Sequence, residues 1–187
     1  WRSATGVKQP DKPADSIMVH PDVRRMLLTC KAYTEGGRAI TTWTALLTDR
    51  EQDHPDPEVR AEAGELVAFL TPIVKGMSTE WANECAYHAL QCFGGHGYVA
   101  EWGMEQMARD ARITTIYEGT TGIQAMDLLG RKIIQLQGTG MRQFLGLIQQ
   151  FCMQNMTNAE MIEFILPLAE VTKQWGELTM ELARKSA

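Results

Sequence analysis

Apolar residues recur along most of the chain at spacings of three and four, a pattern typical of helices that bury one face. In the first predicted helix, Val23, Met26 and Cys30 share such a face. This helix should begin at His20-Pro21, because proline is tolerated in a first helical turn, and should end near Leu47. The alternating pattern of half-buried β-strands is nearly absent.

The second predicted helix has recognisable signals at both ends. Asp56 precedes Pro57, which places a good N-cap residue before a proline at the first helical position. Pro72 lies inside the apolar stripe and should bend or divide the helix. The pair Gly94-Gly95 should end it after Phe93, because glycine accepts the left-handed conformation of a helix C-cap.

These patterns predict an all-α protein, most simply an up-down four-helix-type bundle with additional C-terminal helices. The other predicted elements are a charged turn at 49–55, a loop at 94–102, a short helix at 103–110, a loop at 111–119, a helix from Thr120 or Thr121 to about Gly138, and helices at 141–154 and 158–185. We expect an irregular lead-in at 1–19, the bundle at 20–138, and the start of a further helical region at 139–187.

Composition narrows the class of protein. The chain has 187 residues, 44% hydrophobic and 22% charged, as globular proteins do. Its net charge of −5 argues against nucleic-acid binding. No apolar run approaches the roughly 20 residues that span a bilayer, and no signal peptide is recognisable.

Four scattered cysteines without a CxxC pair predict reduced thiols and a cytoplasmic location. Trp1 is not an initiator Met, so we expect a piece of a longer protein.

One carboxylate stands out because it lies between an aromatic residue and a glycine, just ahead of a predicted helix. The string is Ile116-Tyr117-Glu118-Gly119-Thr120-Thr121-Gly122-Ile123-Gln124. Local spacing favours a structural interpretation, since Thr115-x-x-Glu118 has the spacing of a helix capping box. In the functional interpretation Glu118 is a general base held by a loop beside an apolar cavity. Gly119 would then let the backbone approach a flat ligand.

A glycine-rich string, Gln91-Cys92-Phe93-Gly94-Gly95-His96-Gly97-Tyr98, precedes the carboxylate. Its structural interpretation is a helix C-cap followed by a turn. Its functional interpretation is that glycines without Cβ atoms let backbone amides approach a phosphate or a ring system. The string is neither a GxGxxG after a strand nor a P-loop.

Between these strings lies a charge cluster formed by Arg109, Asp110 and Arg112. We expect its ion pairs to fix the loop to the helical bundle, in preference to a direct contact with a substrate.

A metal site is an alternative interpretation of Cys85, His88, Cys92 and His96, because histidine and cysteine are ligands of zinc. The first three residues share one helical face, where they form a row that does not enclose an ion. Only the turn at Gly94-Gly95 could bring His96 back toward them, so we expect no metal.

Together the three strings resemble the C-terminal part of the flavin-dependent acyl-CoA dehydrogenase family. The matching residues are Gln91-x-x-Gly94-Gly95-x-Gly97-Tyr98, Arg109-Asp110-Ala111-Arg112-Ile113 and Ile116-Tyr117-Glu118-Gly119-Thr120, in the family's order and spacing. Residues 20–27 and 127–132 resemble the longer bacterial branch, which includes the methylthiopropionyl-CoA dehydrogenases. The resemblance covers residues 15–137, and residues 140–187 resemble the start of an extra helical region of that branch.

The resemblance implies an FAD-dependent oxidoreductase of fatty acid metabolism, which converts an acyl-CoA thioester to the trans-2-enoyl-CoA. In the family, a glutamate at the position of Glu118 takes the Cα proton while FAD accepts the Cβ hydride. A backbone N–H at the base and a flavin hydroxyl polarise the thioester carbonyl. The resemblance therefore makes Glu118 the catalytic base and places the substrate beside Gly119.

The resemblance also implies a set of cofactor contacts. The expected FAD-binding residues are Gln91, Gly94 and Gly95, which would meet the FAD of a neighbouring subunit, and Thr120 and Gly122 after the base. Many members have Gln or Glu at the position of Gly122, so that this contact would be lost or made by the backbone. We expect a homodimer or tetramer that passes electrons to electron-transfer flavoprotein or a similar acceptor. Most of the flavin and the substrate would lie in upstream domains, so we expect this chain to be inactive by itself.

One further class of function stays open at this point. In a catalytically silent relative, the same helices would serve as an interaction or scaffold module, and Glu118 would only cap a helix.

Overall fold

The computed structural model describes residues 5–186, and this part of the chain is helical. The main elements are α1 (Pro21–Asp53), α2 (Pro57–Phe93), α3 (Met104–Ile113), α4 (Thr121–Met126), a π-helical continuation of α4 (Asp127–Gln135), α5 (Thr139–Asn155) and α6 (Ile162–Ser186). Residues 5–186 contain no β-strand, so the predicted all-α class is confirmed. Residues 1–4 of the predicted lead-in, and Ala187, lie outside the described residues.

Local signals predicted the ends of α2 correctly. The Oδ1 atom of Asp56 accepts a hydrogen bond from the backbone N–H of Glu58 at 2.9 Å, as an N-cap does. Gly94 has a φ of +60° and follows the last residue of the helix, as a C-cap glycine does. Pro72 lies inside α2 without dividing it.

The predicted end of α1 near Leu47, and with it the charged turn at 49–55, is wrong. The helix continues to Asp53 and leaves His54 to Asp56 as the connection. Residues 48–53 are polar but include neither glycine nor proline, so nothing local interrupts the helix. It ends one residue before His54, which precedes Pro55 and is therefore disfavoured in the helical conformation.

Several other predicted bounds also need correction. Residues 94–98 and 100–102 form short 3-10 helices where a loop was predicted. Helix α3 extends three residues past the predicted end at 110, which shortens the predicted loop at 111–119. Helix α5 agrees closely with the prediction, whereas α6 begins at Ile162 and not at residue 158.

The chain divides into two compact units. The first comprises residues up to Thr42 and Val74–Thr121, and the second comprises Trp43–Ile73 and residues from Gly122 onward. Both units therefore include a part of α1 and a part of α2. The boundary at 138–139 that we drew from the sequence stays a prediction.

In the first unit, α1 and α2 meet through an aromatic pair. The rings of Tyr33 and Trp81 stack with centroids 4.7 Å apart and an interplanar angle of 5°. A Cβ atom at Gly37 would lie 3.6 Å from the Trp81 ring, an ordinary van der Waals contact, so this approach does not require glycine. Beside the pair, the Sγ atom of Cys30 lies 3.7 Å from the carbonyl oxygen of Cys85.

In the second unit, α2, α5 and α6 share an aromatic core. Phe69 is almost fully buried, and its ring lies 5.9 Å from that of Phe144 and 6.1 Å from that of Trp175. Leu70 and Ile165 are fully buried. Burying large apolar side chains is the main source of stability in such a core.

Candidate functional site

The candidate base lies in a tight turn between α3 and α4. Glu118 has a φ of 55° and Gly119 a φ of 90°. Glycine adopts this left-handed region freely, whereas a residue with a Cβ atom pays about 1–3 kcal/mol for it. Such a conformation persists only where surrounding contacts enforce it, and left-handed non-glycine residues are concentrated at functional sites. Glu118 is therefore held in an unfavourable conformation by its environment.

The capping-box interpretation of Thr115 and Glu118 is wrong. Helix α4 begins at Thr121, six residues after the proposed cap. Thr115 is buried, and its hydroxyl donates to the carbonyl oxygen of Arg112 at 3.0 Å. The same hydroxyl accepts a hydrogen bond from Nη1 of Arg112 at 2.7 Å. Thr115 thus completes the C-terminal end of α3 and does not open the next helix.

The ammonium group of Lys75 on α2 binds the backbone of this turn. Its Nζ atom donates to the carbonyl oxygens of Thr114 at 2.6 Å, Tyr117 at 3.1 Å and Gly119 at 3.0 Å. It also lies 5.7 Å from the centroid of the Tyr117 ring, within the range of a cation–π contact. An ammonium has three N–H donors, and each one in this site has a carbonyl partner from the turn.

Two more side chains of α2 hold the chain on either side of this turn. The side-chain amide of Asn83 donates to the carbonyl oxygen of Ala111 at 3.2 Å. The hydroxyl of Thr121 donates to Oε1 of Glu80 at 2.7 Å. Residues 111–121 are therefore fixed to one helix at both ends as well as at the centre.

Arg109 and Asp110 of the charge cluster do not have the predicted role, whereas Arg112 bonds to Thr115 in the loop that follows α3. Arg109 forms its ion pair with Glu105 of the same helix, α3. The side chain of Gln106, also on α3, donates to Asp110 at 2.7 Å. The bonds of Arg109 and Asp110 are local to α3, whereas side chains of α2 fix the loop to the bundle.

Glu118 and its neighbours are open to solvent in this chain. Glu118 and Thr120 are exposed, Gly119 is half-buried, and Tyr117 is about half exposed at 48%. The predicted apolar cavity beside Glu118 is therefore not enclosed by the described part of this chain. Exposed apolar side chains around an exposed carboxylate are typical of a surface that another element covers.

The glycine-rich string forms the end of α2 and the turn that follows it. Gln91, Gly94 and Gly95 are exposed. A Cβ atom at Gly94 or Gly95 would meet nothing within 4 Å. The backbone of these residues is therefore accessible to a ligand from outside the chain. Gly122 is also exposed and is the second residue of α4.

The geometry does not support the metal alternative. Residues 5–186 contain no group of three or more His, Cys, Asp or Glu side chains that could hold a metal ion. The ring of His96 packs edge-on against that of Trp102, with centroids 5.2 Å apart. His88 is buried, and its Nε2 atom lies 3.5 Å from Oε1 of Glu84.

Comparison with known proteins identifies the class to which this fold and turn belong. The family model described as "Acyl-CoA dehydrogenase, C-terminal domain" matches residues 4–133. This range includes Lys75, the glycine-rich string and the Glu118 turn. The chain belongs to the acyl-CoA dehydrogenase family.

Individual relatives agree with this assignment. The chain is 51% identical to 3-methylmercaptopropionyl-CoA dehydrogenase of Ruegeria pomeroyi over 71% of this chain and 22% of the relative. It is 40% identical to a broad-specificity linear acyl-CoA dehydrogenase of Mycobacterium tuberculosis over 75% of this chain and 24% of the relative. A shorter match, 43% identical over 31% of this chain and 15% of the relative, is subunit CarC of the caffeyl-CoA reductase-Etf complex of Acetobacterium woodii.

The chain thus spans about a quarter or less of the length of these relatives. Among the helices of residues 5–186, none is both long enough and apolar enough to cross a membrane.

Sequence reasoning missed Lys75. One signal could have drawn attention to it, because Lys75 follows Ile73 and Val74 in an otherwise apolar stretch of α2. A lysine at such a position is seldom buried unless its charge has partners.

Proposed function

We propose that the complete protein carries out FAD-dependent α,β-dehydrogenation of an acyl-CoA thioester to the trans-2-enoyl-CoA, with Glu118 as the α-proton base. The observation that carries this proposal is the left-handed turn at Glu118, which Lys75 holds through three carbonyls within the region that matches the family. An unfavourable backbone conformation that is enforced this thoroughly is more typical of a functional site than of a simple connection.

In this proposal the chain removes one proton from the substrate and holds it. The Glu118 carboxylate takes a proton from Cα of the thioester as the Cα–H bond breaks. The electron pair of the Cα–H bond forms the new Cα–Cβ double bond. The Cβ hydrogen leaves as a hydride, with the electron pair of the Cβ–H bond. FAD supplies the hydride acceptor in this reaction when it is bound. The backbone N–H of Glu118 donates to the thioester carbonyl oxygen and stabilises the charge that develops there.

The residues assigned to FAD fit a flat ligand that arrives from outside this chain. Gln91 offers an exposed amide at the end of α2, and Gly94 and Gly95 leave the space above their backbone empty. Thr120 and Gly122 are exposed just after the base. We assign these five residues to FAD binding, with the glycine-rich turn meeting the FAD of a neighbouring subunit in a homodimer or tetramer.

The exposure of Glu118 indicates how much of the active site this chain supplies. A proton abstraction of this kind needs a site from which water is excluded. Because the described residues leave Glu118 open, the enclosing surface and most of the acyl-CoA site would come from other parts of the complete protein. We infer that the chain by itself does not turn over acyl-CoA, even with added FAD.

The electron acceptor is a further part of the proposal. We assign electron-transfer flavoprotein, or a similar soluble acceptor, as the partner that reoxidises the flavin. The support is the match to a subunit of a complex whose name includes Etf.

One argument for the scaffold alternative, a helix cap at Glu118, does not hold in this turn. In that alternative Glu118 would only cap a helix, but α4 begins at Thr121 and the hydroxyl of Thr115 bonds to Arg112. Nothing in the local hydrogen bonding of Thr115 calls for a glutamate three residues later.

Replacing Glu118 by Gln in the complete protein tests the proposal. Removing a general base costs about 10²–10⁴-fold in rate, so we expect a loss of that size in flavin reduction by acyl-CoA. FAD content and circular dichroism should match those of the wild type. Glu101→Gln, an exposed glutamate in the short helix at 100–102, is the matched control and should retain full activity. Near wild-type flavin reduction by the Glu118→Gln protein would exclude Glu118 as the base.

A further inference from the structure

Lys75 fixes two peptide groups that bracket Glu118. The ammonium binds the carbonyl oxygen of Tyr117, in the peptide group before Glu118, at 3.1 Å. It also binds the carbonyl oxygen of Gly119, in the peptide group one residue beyond, at 3.0 Å. Hydrogen bonds from a charged donor are stronger than those between neutral groups. The bond to Tyr117 therefore acts directly on the left-handed residue, whose φ is 55°, and the bond to Gly119 fixes the chain just beyond it.

The bond to Tyr117 also decides where the N–H of Glu118 points. In a planar trans peptide, the C=O of one residue and the N–H of the next point in opposite directions. Because the Tyr117 carbonyl points at Lys75, the N–H of Glu118 must point away from Lys75 and from the α2 residues around it. That N–H is the proposed donor to the thioester oxygen. Replacing Lys75 should therefore change the direction in which the N–H of Glu118 points.

The support for Lys75 is itself firm. It projects from α2, a helix of 37 residues, which also carries the partners of Ala111 and Thr121. The third bond of the ammonium goes to the carbonyl oxygen of Thr114 at 2.6 Å, next to the buried Thr115. A polar group that binds three acceptors fixed in space can hold them to a single arrangement.

We propose that Lys75 is the positioning residue of the site. It preorganises the turn so that the N–H of Glu118 faces the thioester oxygen and the Glu118 carboxylate starts from a fixed backbone. Lys75 itself touches neither substrate nor cofactor in this role. The inference rests on the proposed function, since it needs a thioester oxygen at that N–H.

Replacing Lys75 by Met in the complete protein removes the ammonium but keeps a side chain of similar length. Loss of a single oxyanion donor typically lowers the rate about 10²–10³-fold, and we expect a fall in kcat of about 10²-fold for this variant, with little change in KM. Flavin reduction in a single turnover measures this step directly. FAD content and circular dichroism show whether the protein is folded.

A pair of CoA ligands separates positioning from general support of the fold. One is the enoyl-CoA product, which keeps the thioester carbonyl, and the other is an alkyl-CoA thioether of the same chain length, which lacks it. We expect Lys75→Met to weaken binding of the enoyl-CoA selectively and to leave binding of the thioether unchanged. Equal weakening of both ligands would assign Lys75 a merely structural role and overturn the inference.

Asn83→Ala is the matched control. It removes another bond from α2 to this part of the chain, but at Ala111, outside the segment that Lys75 brackets. It should lower stability without changing kcat or the difference between the two ligands. If it lowers kcat as much as Lys75→Met does, the inference fails. If Lys75→Met does not fold, Lys75→Gln, which keeps a shorter donor, should show the same selective loss, and unchanged ligand selectivity in that protein would also overturn the inference.

The two proposals fail in distinguishable ways. Near wild-type activity of Glu118→Gln removes the proposed base, whatever Lys75 does. If Glu118→Gln is inactive while Lys75→Met keeps its kcat and its affinity for the enoyl-CoA, the proposed function stands and only the role of Lys75 is refuted.

Discussion

A Cβ atom at Gly97 would lie 2.6 Å from the carbonyl oxygen of Leu90. It would also lie 2.9 Å from the Cβ atom of Phe93. The turn after α2 folds back onto the end of its own helix, and only glycine leaves room for this. Two residues earlier, a Cβ atom at Gly95 would meet nothing within 4 Å. The glycines of one string therefore have different physical reasons for being glycine.

Gly97→Ala should destabilise the protein. The nearest atom is a backbone carbonyl, which cannot move aside as the end of a side chain can, so the turn itself must shift. Forcing a methyl group into such a space costs about 1–3 kcal/mol. The change should appear as a lower midpoint of urea unfolding with an unchanged m-value.

Gly95→Ala is the matched comparison and should leave the unfolding midpoint unchanged. If Gly95 contacts FAD as proposed, the added methyl group should instead weaken FAD retention by the complete protein, measured by flavin release on dilution. A loss of stability equal to that of Gly97→Ala would contradict the open space at Gly95.

Gly119→Ala should affect both stability and activity. Gly119 has a φ of 90°, where a Cβ atom is strained, and its carbonyl oxygen is one of the acceptors of Lys75. The expected cost is about 1–3 kcal/mol in the free energy of unfolding. Relieving that strain would move the carbonyl, so we also expect slower flavin reduction in the complete protein.

Gly103→Ala controls for the strain alone. Gly103 has a φ of +69° with nothing within 4 Å of its Cβ position, and it precedes α3. It should lose stability to a similar degree and keep its activity. If both variants slow flavin reduction equally, the loss of activity in Gly119→Ala does not come from a change in the geometry of the Glu118 turn.

The local signals at the two ends of α2 were read correctly from the sequence. Asp56-Pro57 and Gly94 mark the ends of α2 because capping depends on neighbouring backbone groups. The helical class follows from the spacing of apolar residues, which needs no knowledge of distant contacts. The end of α1 was missed because a run of polar residues was taken for a turn, although three of them, Arg50, Glu51 and Gln52, are good helix formers.

The Glu118 turn could not be derived in the same way, because its conformation is set by contacts from far along the chain. Lys75 lies 39 residues before Thr114 and 44 before Gly119, so no local pattern joins them. The hydroxyl of Thr115 bonds to Arg112, which removes the capping box that its spacing indicated. The resemblance to a family identified Glu118, but only the structure shows what holds it.

Two glycines of α5 should respond in opposite directions to substitution by alanine. A Cβ atom at Gly140 would lie 2.6 Å from the carbonyl oxygen of Glu65 and 2.6 Å from the Cβ atom of Phe69. Gly140→Ala should therefore separate α5 from α2 and cost about 1–3 kcal/mol. Gly146 is exposed within the same helix and has nothing within 4 Å.

Gly146→Ala should stabilise the protein by about 0.5–1 kcal/mol, because alanine loses less backbone freedom than glycine on forming a helix. Thermal unfolding of both variants against the wild type measures the difference. A fall in melting temperature for Gly146→Ala would show that this face of α5 is not open.

The cysteine pair between α1 and α2 makes stability depend on alkaline pH. Burial, followed by the neighbouring Cys30, raises the pKa of the Cys85 thiol from 9.0 to about 11. The Sγ atom of each cysteine lies near the carbonyl oxygen of the other, at 3.7 and 3.9 Å, in surroundings that favour the neutral thiol. The folded protein should therefore keep this proton at a pH where the unfolded chain has lost it.

The sign of the effect follows from proton binding. Above the unfolded pKa of about 9, the folded state binds more protons than the unfolded state at Cys85, so the free energy of unfolding falls as pH rises toward about 11. Below that window the contribution is fully present. The slope between these values should be steeper in the wild type than in Cys85→Ala, under reducing conditions. Groups distant from Cys85 titrate alike in both proteins and cancel in the difference, whereas Tyr33, whose pKa is raised first by Glu84 and also by Cys85, is part of that difference. Identical slopes in the two proteins would show that Cys85 ionises as readily in the folded state as in the unfolded chain.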